Sequence, residues 1–128
     1  MSDFNAQHNR FGWMDIPVAD AERAAAFYAG VMAITVERME HEGTAFYVLE
    51  HDEGNGGCLV PDPDGIAGDK GPLVYLNVDG RIRDAVAKVT ALGGAVTEGV
   101  QSLGPYGFRA LIKDSEGNKF ALWSNTDA

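Results

Sequence analysis

The sequence contains little of what marks secreted, membrane-spanning or disulfide-stabilised proteins. Its 128 residues include one cysteine, Cys58, which has no disulfide partner within the chain. No apolar run approaches the roughly 20 residues of a membrane span. The first residues, MSDFNAQHNR, lack the apolar stretch of a signal peptide. We therefore expect a cytoplasmic protein that has no membrane partner.

Basic residues are also scarce. The chain has 10 Lys and Arg residues against 19 Asp and Glu residues, which gives a net charge of −9. No stripe of Lys or Arg reverses this charge locally, and a negative surface repels the phosphate backbone. Nucleic acid is therefore not expected as a partner. We interpret the acidic excess as a solubilising surface rather than as an acidic binding face.

Glycine and alternating apolar residues, by contrast, are abundant. The 16 glycines and 45% hydrophobic content are typical of a folded, turn-rich domain. A segment rich in Pro, Asp and Gly, at about 62–71, divides the chain nearly in half. Each half has the same order of elements, which is a strand, a helix and three more strands. This order predicts an α+β fold with two βαβββ modules, at about 9–61 and about 72–125, within one domain that spans 1–128.

The first predicted strand and helix show the clearest local pattern. Residues 11–18 alternate as a strand does, and Asp20 is a good N-cap for the helix that follows. Alternation places Trp13 and Asp15 on one face of this strand and its aliphatic residues on the other. The helix carries an apolar stripe that is expected to be buried: Ala24, Phe27, Tyr28 and Val31.

Two segments make the chain resemble a known superfamily. They are VADAERAAAFY, from Val18 to Tyr28, and DSEGNKFALW, from Asp114 to Trp123. Together with the paired modules, they resemble the vicinal-oxygen-chelate superfamily, which includes glyoxalase I, bleomycin-resistance proteins and extradiol dioxygenases. The resemblance covers nearly the whole chain. It implies a curved, cup-like, eight-stranded mixed sheet with the helices packed outside and the ligand held in the cup.

The resemblance also implies where a metal would be held, and this chain departs from that pattern. In the superfamily's enzymes, inward-facing His, Gln or Glu side chains of both modules bind a divalent metal. Three corresponding positions here are Trp13, Leu73 and Ala121, and the fourth, in the strand around 57–60, offers only Cys58. A catalytic metal needs about three protein ligands with lone pairs. We therefore predict no metal cofactor, and a relocated divalent metal site is the alternative.

Histidine is the other common metal ligand, and the chain has three. His8 lies near the N-terminus, whereas His41 and His51 fall in predicted turns. We interpret all three as surface histidines rather than as a displaced metal site.

Asp15 is the candidate for acid–base chemistry. Its predicted position beside Trp13 lies inside the cup, where a buried carboxylate could act as an acid, a base or a hydrogen-bond anchor. The alternative is a structural carboxylate that pairs with backbone N–H groups or with an arginine such as Arg109.

Aromatic residues are the candidates for ligand binding. Tyr75, Phe108 and Trp123 are predicted to complete an aromatic lining with Trp13, which would suit a planar or apolar ligand. The alternative is that these rings fill the cup and leave no cavity.

Three functions follow from these observations. The favoured one is metal-independent binding of a small organic molecule, aromatic or otherwise apolar. The second is a lyase, isomerase or dioxygenase of the superfamily that uses a displaced metal site or Asp15. The third is an assembly module without a ligand. Sheet edges need protection, so we expect a symmetric homodimer.

Overall fold

The computed structural model describes residues 10–128, so His8 lies outside the described residues. The chain forms two modules with the same order of elements. The first consists of β1 (Trp13–Val18), α1 (Ala21–Met32), β2 (Val36–His41), β3 (Thr44–Leu49) and β4 (Gly56–Pro61). The second consists of β5 (Tyr75–Asn77), α2 (Ile82–Ala91), β6 (Ala95–Ser102), β7 (Phe108–Lys113) and β8 (Lys119–Ser124).

The strands hydrogen-bond as two four-stranded mixed sheets. Their orders are β1-β4-β3-β2 and β5-β8-β7-β6. In each sheet the first strand of the module runs parallel to the last, and the remaining pairs are antiparallel. Strands β1 and β5 are therefore edge strands of separate sheets. The predicted α+β fold of two βαβββ modules is confirmed.

Helix α1 forms where the sequence pattern predicts it. The Asp20 side chain caps the helix by accepting a hydrogen bond from the Arg23 N–H at 3.1 Å, which satisfies one of the free donors of the first turn. The helix ends at Ala33, whose backbone is left-handed with φ of 54°. The predicted apolar stripe is buried, and it comprises Ala24, Phe27, Tyr28 and Val31. No helix in residues 10–128 is long and apolar enough to cross a membrane.

The two modules share one core. Each helix packs on the sheet of its own module, and the two helices also contact each other. The Tyr28 ring of α1 meets the Phe120 ring of β8 edge to face, with 6.3 Å between centroids. Because the buried apolar residues of both modules form a single cluster, neither sheet has a separate interior.

The turn between β7 and β8, residues 114–118, joins the modules through polar contacts. Here it is called the intermodule turn. Glu116 Oε1 accepts hydrogen bonds from the N–H groups of Ala19 and Asp20 at 3.0 and 2.7 Å. Asn118 donates to the Pro17 carbonyl oxygen at 2.8 Å. The end of β1 and the start of α1 are thus held by a turn nearly a hundred residues further along the chain.

Each sheet has one face on the helices and one face turned away from them, which we call the open face. Strand alternation places Trp13, Asp15 and Cys58 on the open face of the first sheet, since Ile16 and Leu59 belong to the core. The open face of the second sheet carries Tyr75, Arg109, Ala121 and Trp123. Most of the candidate site residues therefore lie on the open faces.

Candidate functional site

A cleft of about 910 Å³ opens beside the edge strands β1 and β5. Both modules contribute to its wall, which also includes the turn before β4. The apolar and aromatic side chains of the lining are Phe11, Trp13, Met14, Met32, Ile34, Leu49, Pro72, Leu73, Val74, Tyr75 and Leu76. The polar side chains are Glu50, His51, Asn55 and Asn77. The cleft is thus mainly apolar and carries a few polar groups.

Trp13 and His51 form an aromatic pair in this cleft. Their rings meet at 89°, with 5.5 Å between centroids. His51 Nδ1 lies 3.0 Å from the Gly54 carbonyl oxygen. A Cβ atom at Gly56 would lie only 2.7 Å from the imidazole, so the absence of a side chain there lets His51 approach the indole. His51 was expected on the surface and is instead a partly buried residue of the cleft, whereas His41 is exposed.

Cys58 and Asp15 are register partners on β4 and β1. The buried thiol donates to Asp15 Oδ1 at 3.3 Å. Burial is the main cause that raises the pKa of the Cys58 thiol. A hydrogen bond with Trp13 lowers this pKa, whereas the hydrogen bond and the negative charge of Asp15 raise it. The thiol is therefore protonated at neutral pH. A protonated thiol is a poor nucleophile and a poor metal ligand.

Asp15 itself is exposed, which corrects the expectation of a carboxylate buried among aromatic rings. It lies outside the lining of the cleft. Arg109, the expected alternative partner, instead donates to the Tyr75 hydroxyl. Arg109 does not pair with Asp15 because the two residues belong to different sheets.

A second, smaller hollow of about 530 Å³ lies on the open face of the second sheet. It is lined by Tyr75, Leu103, Tyr106 and Trp123. The Trp123 indole N–H donates to the Tyr106 carbonyl oxygen at 2.8 Å, which fixes the indole against this segment. Tyr75 lines both the cleft and the hollow, so the two are neighbours.

Three of the four predicted aromatic lining residues line these cavities, and Phe108 does not. Trp13 lies in the cleft, Trp123 in the hollow and Tyr75 in both. Phe108 packs against the core, as Ile112 does. It alternates with Arg109, whose side chain is on the open face, so Phe108 must lie on the helix side.

The side chains at the superfamily's metal positions do not fit a metal. Trp13 and Leu73 line the cleft, and Ala121 is fully buried opposite Tyr75. None of these side chains has a lone pair to offer a cation. Within residues 10–128, no group of three or more His, Cys, Asp or Glu side chains could hold a metal ion.

Comparison with known proteins identifies the family. The model of the Glyoxalase/Bleomycin resistance protein/Dioxygenase superfamily matches residues 10–122, and the chain belongs to this superfamily. No curated protein sequence gives a significant match.

Several solved structures share the fold. A glyoxalase/bleomycin resistance protein from Albidiferax ferrireducens T118 is 20% identical, with a TM-score of 0.69 over 91% of this chain and 99% of that one. A hypothetical protein from S. aureus is 19% identical, with a TM-score of 0.70 over 91% and 94%. The fosfomycin resistance protein FosX from Listeria monocytogenes is 11% identical, with a TM-score of 0.69 over 91% and 93%. At these identities, the likeness shows the fold alone.

Proposed function

We propose that this protein binds a small organic molecule in the cleft beside β1 and β5, without a metal. The observation that carries the proposal is the cleft itself, whose volume of about 910 Å³ lies within the range of sites for small molecules. Its apolar walls supply the area that drives binding, and its few polar groups can orient a ligand. Membership of the superfamily and the likeness to a fosfomycin resistance protein support the same class of function.

The aromatic residues of the cleft favour a planar or aromatic ligand. Trp13 and Tyr75 come from different modules, and a ring can stack on either of them or contact its edge. His51 stands against the Trp13 indole, so a ligand that reaches the indole also meets an imidazole that can donate or accept a hydrogen bond.

Metal independence is supported by the chemistry of the side chains at the superfamily's metal positions. An indole, an isobutyl group and a methyl group stand where three ligands are expected, at Trp13, Leu73 and Ala121. The enzymatic alternative through Asp15 has less support, because this carboxylate is exposed and lies outside the lining of the cleft.

A homodimer remains part of the proposal. Strands β1 and β5 each have one sheet neighbour within residues 10–128, and pairing of such edges between two copies would protect them. Sedimentation equilibrium tests this point, with twice the chain mass of 13.7 kDa expected. A monomer at all concentrations would contradict it.

A binding screen tests the proposed function. Aromatic metabolites and antibiotics are added to the purified protein, and thermal unfolding and tryptophan fluorescence are recorded. A ligand at about 100 times its Kd stabilises the folded state by about 2.7 kcal/mol. Trp13→Ala should weaken every hit, whereas Met39→Ala, which removes an exposed side chain outside the cleft lining, should not. A screen without hits, or hits that Trp13→Ala leaves unchanged, would refute binding in this cleft.

A further inference from the structure

Arg109 occupies an unusual position for a cation in this chain. It lies on β7, an inner strand of the second sheet, opposite Gln101 of β6 and Trp123 of β8. Its side chain is on the open face, where it donates to the Tyr75 hydroxyl. The guanidinium carbon also lies 5.9 Å from the centroid of the Tyr75 ring. Arg109 is not among the lining residues of the cleft or the hollow, but its partner Tyr75 lines both.

Other cations at comparable depth are neutralised or solvated by the protein. Within residues 10–128, four cationic residues are partly buried: Arg81, Arg109, Lys113 and Lys119. Arg81 and Lys113 each pair with a carboxylate. Lys119 donates to two backbone carbonyl oxygens. Among the described residues, Arg109 is the one partly buried cation whose only partner is a neutral hydroxyl. Its charge is therefore uncompensated by the part of the chain that the structure describes.

The guanidinium of Arg109 also has an unused donor. Its Nε atom is buried and has no hydrogen-bond partner within residues 10–128. Buried polar atoms are almost always paired, because an unpaired one loses its bonds to water without replacement. The lack of a carboxylate beside Arg109 is notable because the chain has 19 acidic residues against 10 basic ones. These observations indicate that the anionic partner of Arg109 lies outside residues 10–128.

The hollow next to Arg109 indicates what such a partner would look like. Tyr75 and Tyr106 are 45% and 76% exposed, and together with Leu103 and Trp123 they line this open hollow of about 530 Å³. Three aromatic residues could also surround a cation, but the positive charge of Arg109 beside Tyr75 opposes that. A planar organic group with an acidic substituent satisfies both the rings and the guanidinium.

We propose that the ligand is an aromatic carboxylate or a similar planar organic acid, and that Arg109 binds its acidic group. This inference rests on the proposed function and specifies its ligand class. Arg109 supplies a charge-assisted hydrogen bond, and Tyr75 holds the guanidinium and offers its ring to the ligand. The acidic group of the ligand supplies the negative charge that residues 10–128 do not provide.

Pairs of probes that differ only in charge test the proposal. The pairs are benzoate and benzamide, 1-naphthoate and 1-naphthamide, and indole-3-acetate and indole-3-acetamide. Their Kd values are measured by calorimetry with the wild type, Arg109→Gln and Arg109→Lys. The control is Arg38→Gln, which changes the net charge equally at an exposed residue of the other sheet. Thermal unfolding establishes that each variant is folded.

The expected result is a preference of about tenfold for the acid over its amide in the wild type and in Arg38→Gln, which is the size of one charge-assisted hydrogen bond. Arg109→Gln should abolish this preference while amide binding persists, and Arg109→Lys should keep part of it. Added salt should reduce the preference. If acid and amide bind equally, or if Arg109→Gln keeps the preference, Arg109 is not the anchor and binding in the cleft still stands. If no probe of any pair binds, the aromatic-acid proposal fails, and the broader binding screen decides whether the cleft binds a ligand.

Discussion

The Tyr28 hydroxyl donates a hydrogen bond of 2.6 Å to Asp114 Oδ2, and this contact joins two residues that are 86 positions apart. Tyr28 is completely buried in α1, and Asp114 begins the intermodule turn. Burial raises the pKa of Tyr28 well above its usual value, and the charge of Asp114 adds to the effect. The phenol therefore stays a neutral donor. The other oxygen of the same carboxylate accepts the N–H groups of Glu116 and Asn118 at 2.9 and 2.8 Å, so one buried acid orders the turn and ties it to α1.

Tyr28→Phe should destabilise the protein by about 1–3 kcal/mol, because it removes a donor from a buried carboxylate. The cost should fall in the lower part of this range, since Asn118 Nδ2 still donates to Asp114 Oδ2 at 3.0 Å. Urea unfolding measures the effect. Tyr47→Phe is the control, because no hydrogen bond of its hydroxyl is found within residues 10–128. Equal stabilities for the two variants would show that the Tyr28–Asp114 bond contributes nothing.

The stability of the fold should fall at low pH, because Glu116 becomes protonated. Burial would raise the pKa of this carboxyl, but the Arg23 guanidinium, the N–H groups of Asp20 and Ala19 and the Ser115 hydroxyl lower it from 4.5 to about 2. The folded-state pKa thus lies below the unfolded value. The contribution is complete above pH 4.5 and is lost as the pH falls toward 2.

The size of the Glu116 contribution is about 2 kcal/mol, after allowance for the solvent that reaches Arg23. Glu116→Gln should remove it at pH 7 and flatten the decline in stability between pH 4.5 and 2. Thermal unfolding as a function of pH is the measurement. Glu40→Gln, at an exposed carboxylate of β2, should keep the wild-type slope. An unchanged slope in Glu116→Gln would mean that another acid controls this range.

The reactivity of Cys58 should respond in opposite directions to its two neighbours. Asp15→Asn removes a charge that raises the pKa of the thiol, so alkylation by iodoacetamide should begin at lower pH. Trp13→Phe removes a hydrogen bond that lowers this pKa, so alkylation should begin at higher pH. The measurement is the pH midpoint of the alkylation rate. Midpoints that move the same way would contradict the arrangement of these three side chains.

The close contact of β1 and β4 should make Gly57 intolerant of substitution. A Cβ atom at Gly57 would lie 2.4 Å from the Met14 carbonyl oxygen, which is backbone and cannot move aside freely. Gly57→Ala should therefore cost about 1–3 kcal/mol. Gly99→Ala is the matched control, because a Cβ atom there meets nothing within 4 Å. The measurement compares the urea concentrations at which the two variants are half unfolded. If Gly57→Ala leaves the stability unchanged, β1 and β4 lie further apart.

Divalent metals should leave the protein unaffected. With Trp13, Leu73 and Ala121 at the superfamily's ligand positions, addition of Zn²⁺, Mn²⁺, Fe²⁺ or Ni²⁺ should not change the midpoint of thermal unfolding. Elemental analysis of the purified protein provides the second measurement. A stoichiometric metal would contradict metal independence and would favour a displaced site.

Local patterns in the sequence were enough to predict the fold. The alternation of residues 11–18, the cap at Asp20 and the stripe from Ala24 to Val31 each depend on neighbours in the chain, and the structure confirms them. These features need no information about distant residues, because strand and helix periodicity report burial directly.

The candidate residues whose positions were predicted wrongly are placed by more than the local sequence pattern. Phe108 follows Gly107, whose φ of 98° breaks the extended backbone, and a shift of one residue moves a side chain to the opposite face. The pairing of Arg109 with Tyr75 depends on which strands become neighbours in the second sheet. His51 is a loop residue whose approach to Trp13 depends on Gly56. The only local signal for it was the glycine-rich segment at 54–57, which begins three residues after the histidine.

The contacts of Glu116 have a consequence for the order in which the protein can fold. This carboxylate accepts the N–H groups of Ala19 and Asp20, at the very start of α1. During synthesis, residues 19 and 20 are added to the chain long before residue 116. Until then the N–H groups of Ala19 and Asp20, just before α1, lack this acceptor, so these contacts between the modules form only after the second module has been made.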